Sequence, residues 1–143
     1  MNIKIVYHSS TGNTKKVAEA IAAELQLSAQ EIGSAAAAIC ESVDLLFLGD
    51  GVYAGNPHKA TISFIESLNP QMVKAAAVFA TYGGQDAIGE NLKQRLEEKG
   101  IQVLSAPYTC RGKSFILANR KHPNQDELQG ARIFAKKLAE QLG

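Results

Sequence analysis

The sequence predicts an α/β fold: a doubly wound parallel sheet of five strands with helices on both faces, spanning residues 1–143 as a single domain. Three observations carry that expectation. Short runs that are apolar at nearly every position recur along the chain, as strands covered on both faces require. Stretches with apolar residues at helical spacing separate those runs. The chain has 143 residues, of which 45% are hydrophobic, enough for one sizeable core.

The elements follow in order. Ile3–Tyr7 is the first strand. A helix opens near Thr14, with Val17, Ala20, Ile21 and Leu25 on one face. A weaker strand run sits at 28–32. Segment 34–42 reads as a short helix with Ser34 as its N-cap. The run 45–49 is the third strand, and Ile62, Ile65 and Leu68 mark the helix after it. The run 75–80 is the fourth strand. Ile88, Leu92 and Leu96 form the next helical stripe, which Gly100 closes. The last strand is 102–104, with 108–110 beyond Pro107. The final helix has the clearest face: Leu128, Ala131, Phe134, Ala135, Leu138 and Leu142. His122-Pro123-Asn124 leads into it, with Asn124 or Gln125 near the cap and Asp126 and Glu127 in its first turn.

Composition excludes several classes. Fifteen Lys+Arg against fourteen Asp+Glu leave a formal net charge of +1, so overall charge drives no nucleic-acid binding. Two cysteines, Cys40 and Cys110, are too few for a disulfide framework or a four-thiolate zinc site. The start of the chain shows no apolar leader, and no run approaches the ~18 apolar residues of a membrane span. The expectation is a cytoplasmic protein without membrane insertion.

In a doubly wound sheet, ligands bind beyond the carboxyl ends of the strands. The loops to inspect are therefore 7–14, 49–59, 81–87 and 110–123. The first reads S-S-T-G-N-T at 9–14, between a strand and the start of a helix. Exposed amides, the helix dipole and the hydroxyls together suit an anion there. The loop is neither a Walker loop nor a G-x-G-x-x-G dinucleotide fingerprint. Each of these residues alone could merely build a turn and a cap; all of them in order at this position favour a phosphate cradle.

The stretch V-Y-H-S-S-T-G-N-T-K-K-V-A resembles the phosphate loop of flavodoxins, whose usual form is S-x-T-G-N-T. D-L-L-F-L-G-D-G-V-Y-A-G-N-P at 44–57 and V-F-A-T-Y-G-G at 78–84 extend the resemblance, and Y-T-C-R-G-K with H-P-N-Q-D-E-L is similar to one branch of small flavodoxin-like proteins. The resemblance implies strand order 2-1-3-4-5 and a site for flavin mononucleotide (FMN). It implies that Ser9, Ser10, Thr11, Gly12, Asn13 and Thr14 hold the phosphate. Gly51, Val52, Tyr53, Ala54 and Gly55, with Thr81, Tyr82, Gly83, Gly84 and Asp86, would border the ring. Tyr53 takes the place of one flanking side chain, and Tyr82 is the aromatic of the third loop. A peptide at Ala54-Gly55 would turn over on reduction and tune the potential, with Gly55 tolerating the positive φ.

The implied function is an FMN-binding carrier that shuttles single electrons between redox partners, rather than a self-sufficient enzyme with catalytic residues of its own. Two other readings stay open. One is an FMN-dependent oxidoreductase of quinone or protoporphyrinogen type, acting on a small molecule. The other is an interaction domain that kept the fold and lost the flavin.

Some residues depart from the family pattern. Asp50 stands where a small or hydroxyl residue is common, and a carboxylate aimed at a phosphate would repel it. The reading preferred here is a turn residue bonding nearby backbone. Flavodoxins are usually acidic, yet 111–122 carries Arg111, Lys113, Arg120 and Lys121 with no acidic residue. That run is either a solvated loop or a basic edge for an acidic ferredoxin-like or reductase partner, or for nicotinamide phosphates. Cys110 is no phosphatase nucleophile, because C-x-x-x-x-x-R needs an arginine where Ile116 stands; the same test on Cys40 meets Leu46. It reads as a structural thiol or a neighbour of the ring. His8 sits at the loop entrance, as an edge residue or a proton handler. His58 and His122 lack the paired spacing of a metal site.

Overall fold

The computed structural model describes residues 1–51, 56–82, 88–111 and 123–142. The elements are β1 (Ile3–Tyr7), α1 (Asn13–Leu25), β2 (Ala29–Glu31), a 3-10 turn (Ala35–Ala37), β3 (Leu45–Gly51), α2 (Lys59–Ser67), β4 (Ala75–Tyr82), α3 (Ile88–Glu98), β5 (Gln102–Val103), β6 (Tyr108–Arg111) and α4 (Gln125–Leu142). The strands form one parallel sheet in the order β2-β1-β3-β4-β5, the expected 2-1-3-4-5.

Side-chain alternation explains the continuous apolar runs. Neighbouring residues of a strand point to opposite faces. Ile5, Leu45, Phe47, Ala77 and Phe79 pack toward α1 and α4, against Val17, Ile21, Ala131 and Ala135. Val6, Leu46, Leu48, Ala76 and Val78 pack toward α2 and α3, against Ile65, Leu92 and Leu96. In the central strand β3 both faces are buried at every position, so both phases of the alternation are mostly apolar.

The last strand is split, as its two apolar pieces on either side of Pro107 suggested. β5 pairs with the start of β4 and β6 with its end, Phe79–Tyr82. Between them Ser105 adopts a left-handed φ of 63°, and Pro107 has no amide to give the ladder. One expectation needs correction: the 34–42 helix is absent. Only the single turn Ala35–Ala37 forms, and the Ser34 hydroxyl donates to the Glu31 carbonyl instead of capping it. A helix nucleus this short needs tertiary packing to persist, and of that turn only Ala37 is buried. The entry to α4 is as expected: Asn124 Oδ1 accepts from the Glu127 amide, and Glu127 Oε1 accepts from the Asn124 amide.

The register brings the carboxyl ends of the central strands together. Tyr7 pairs with Gly49, Gly51 with Thr81, and Thr81 with Cys110. Gly49 permits this geometry, because a Cβ there would lie 2.0 Å from Cε2 of the fully buried Phe79 ring. Gly49→Ala is expected to destabilise the fold by about 1–3 kcal/mol through overpacking. The urea denaturation midpoint measures this, and adding Phe79→Leu should recover part of the loss.

Candidate functional site

The first loop leaves β1 at His8, whose amide donates to the Gly49 carbonyl at 3.0 Å. Ser9 Oγ then accepts from the Gly12 amide at 3.0 Å, and Asn13 Nδ2 donates to Thr11 Oγ1 at 2.8 Å. The loop thus ties itself down with its own hydroxyls. Gly12 caps α1 with φ 90° and no side chain. Its chain neighbours aside, no atom of the described residues lies within 4 Å of where its Cβ would be. Gly12 itself offers no side-chain cap to the first-turn amides, and the turn contains no acidic residue. The positive end of the helix therefore faces the loop with no carboxylate in its own first turn.

Asn13 adds a second, independent feature. It is 3% exposed, yet its Oδ1 has no hydrogen-bond partner among the described residues. A buried acceptor left unpaired costs free energy that a ligand donor would recover. Thr11 Oγ1 can donate as well as accept, so a half-turn of the amide would present Nδ2 to an anion instead.

The other loops begin close by. Thr14 Oγ1 lies 2.8 Å from Thr81 Oγ1, a buried hydrogen bond that joins the head of α1 to the end of β4. Gly51 faces this pair: a Cβ there would be 3.2 Å from Thr14 Oγ1 and 3.3 Å from Thr81 Oγ1. So the structure brings Ser9, Thr11, Gly12, Asn13, Thr14, Gly51 and Thr81 close together, with Ser10 exposed on the same loop. Val52, Tyr53, Ala54, Gly55, Gly83, Gly84 and Asp86 lie outside the described residues, as do Lys113, Arg120, Lys121 and His122. Tyr82 and Arg111 end β4 and β6.

Asp50 is fully buried and bonds nearby backbone, as preferred. Its Oδ1 accepts from the Gly51 amide at 2.7 Å and its Oδ2 from the His58 amide at 2.8 Å. Oδ1 also lies 3.3 Å from His8 Nδ1. The imidazoles of His8 and His58 stack with centroids 3.9 Å apart and planes 15° apart. His58 Nδ1 accepts from the Ala60 amide and caps α2. Sequence reading missed this cluster. His8 and Asp50 are 42 residues apart, and only the Tyr7–Gly49 register sets them side by side.

Cys110 is buried, and burial, followed by the charge of Glu127, pushes its thiol up to about 12. A neutral thiol is a poor nucleophile, which agrees with a structural role. Among the described residues, no group of three or more His, Cys, Asp or Glu is placed to hold a metal ion, and no helix is long and apolar enough to cross a membrane.

Comparison with known proteins gives a consistent result. The family model for the flavodoxin domain matches residues 4–116. An uncharacterized protein of Methanocaldococcus jannaschii is 31% identical over 145 residues, covering 94% of this chain and 93% of that protein. The solved structure of a flavodoxin from the domain Archaea superposes with a TM-score of 0.75 at 18% identity, covering 99% of both chains. Rubredoxin oxygen:oxidoreductase of Desulfovibrio gigas superposes at 0.80 with 16% identity, over 99% of this chain and 36% of that one.

The Cys110 environment has a pH consequence. A thiol raised in the folded state stabilises the fold fully below its unfolded value, near 9.0, and that contribution is lost as pH rises toward 12. Tyr108 is likewise raised from 10.0 to about 12, chiefly by burial, and acts in the same direction. The urea midpoint should therefore fall between pH 9 and 12. Cys110→Ala should make the lower part of that fall shallower.

Proposed function

The chain belongs to the flavodoxin family, and from that premise we propose that it binds FMN and passes single electrons between redox partners. One observation carries the proposal. The glycine-capped start of α1 carries, in its first turn, a buried Asn13 whose Oδ1 has no hydrogen-bond partner among the described residues. Amides aimed at one point suit a phosphate, and an orphaned acceptor suits a ribityl hydroxyl. The residues present therefore fit the group. Ser9 to Thr14 would hold the phosphate and the start of the ribityl chain.

When bound, the flavin supplies the one-electron chemistry. This chain's residues do the rest. Ser9 fixes the loop by accepting from the Gly12 amide. The Thr14–Thr81 bond holds the helix head against β4, so the amides keep their aim as ligand arrives. Gly51 keeps the space beside that bond clear of a side chain. Asp50, the residue that would oppose a phosphate, spends its oxygens on Gly51, His58 and His8. For the partner, the run Arg111, Lys113, Arg120 and Lys121 without an acidic residue supports an acidic redox protein.

The test is a visible spectrum after adding FMN and desalting. One FMN retained per chain is the expected result; a chain that stays colourless overturns the proposal. Asn13→Asp should weaken FMN by about tenfold or more, because it sets a like charge against the phosphate. Riboflavin, which lacks the phosphate, should bind nearly as well to the variant as to the wild type.

A further inference from the structure

The hydroxyl pair of Thr14 and Thr81 holds one hydrogen more than it uses. Thr14 lies in the first turn of α1, and Thr81 is the last but one residue of β4. Both residues are buried, and their Oγ1 atoms stand 2.8 Å apart. Backbone brings them together. The Lys16 amide donates to the Gly12 carbonyl and fixes the turn that carries Thr14. Thr81 is held in register between Gly51 on one side and Cys110 on the other.

Each threonine hydroxyl has one hydrogen to donate and lone pairs with which to accept. A single bond between two hydroxyls uses one hydrogen and leaves the other. Among the described residues neither hydroxyl has a further hydrogen-bond partner. Either oxygen can be the donor, and the direction decides where the surplus hydrogen stands. If Thr14 donates, the surplus is on Thr81, in the strand. If Thr81 donates, the surplus is on Thr14, in the same helical turn as the unpaired Oδ1 of Asn13. An anion at the start of a helix accepts hydrogens, so it favours the second direction. A hydroxyl that accepts one bond is also a stronger donor in the next, because bonds in a chain polarise one another.

We propose that Thr81 is a positioning residue for the phosphate: it donates to Thr14 Oγ1 and so turns the Thr14 hydrogen toward the anion at the start of α1. Thr81 acts through Thr14 and does not itself touch the phosphate. No covalent bond forms or breaks, and both oxygens keep their protons. This role is distinct from bordering the ring. The inference rests on the FMN reading above.

A double-mutant cycle on the full chain tests it, with FMN and riboflavin as ligands in equilibrium dialysis. Thr81→Val keeps the branched shape and the strand preference and removes the hydroxyl. It should weaken FMN by about three- to tenfold and leave riboflavin, which has no phosphate, within about twofold. Thr81→Ser returns the hydroxyl and should recover most of the FMN affinity. Thr14→Val removes the donor itself and should weaken FMN at least as much. In that background Thr81→Val should change nothing further, since a residue that acts only through Thr14 has nothing left to act on. A merely structural role would weaken both ligands alike. Equal losses for FMN and riboflavin, losses that add in the double variant, or an unchanged FMN affinity in Thr81→Val overturn the role of Thr81 while leaving FMN binding intact. A wild-type chain that binds no FMN overturns the cofactor reading and this inference with it.

Discussion

Both faces of the sheet must be covered, and the rest of the structure follows from that constraint. Ile5, Phe47 and Phe79 look toward α1 and α4, while Val6, Leu46 and Val78 look toward α2 and α3. Helices on either side occupy the surfaces where a ligand could otherwise lie. The chemistry is left to the carboxyl edge, where the parallel strands deliver their loops together. Gly49 belongs to the same constraint: the ring of Phe79 fills the space its side chain would need, which lets β3 and β4 stay in register up to the loops.

At that edge two small networks divide the work. Thr14, Gly51 and Thr81 join α1, β3 and β4 around one buried hydroxyl pair. Asp50, His8 and His58 join β1, β3 and α2 around one buried carboxylate. The first network holds the anion-directed amides of α1 in place. The second holds the second loop. The described ends of the two loops are thus tied to different elements of the fold.

Much of this was legible in the sequence because it is local. Strand positions follow from apolar runs, helix faces from their spacing, and the first loop from S-S-T-G-N-T standing between a strand and a helix. The start of α4 was also legible, from Asn124 as a candidate cap and Asp126 and Glu127 in the first turn; that Asn124 and Glu127 bond each other reciprocally was added by the structure. What was not legible depends on register or on the absence of packing. The expected helix at 34–42 reduces to one turn, because little of it is buried. The break in the last strand was legible from Pro107, but the left-handed backbone of Ser105 beside it was not. Asp50 could be suspected from its charge, but its partners His8 and His58 come from another strand and another helix. The roles expected for Tyr53, Ala54, Gly55, Gly83, Gly84 and Asp86 lie outside the described residues.

The central claim is that the glycine-capped start of α1 receives the phosphate of a flavin nucleotide. Heteronuclear NMR of the backbone amides during an FMN titration tests it most directly. The account predicts that the amides of Gly12, Asn13, Thr14 and Lys15 shift and saturate at one equivalent, and that riboflavin leaves them largely unmoved. If FMN binds while those amides stay in place and others shift, the phosphate lies elsewhere and the account is wrong.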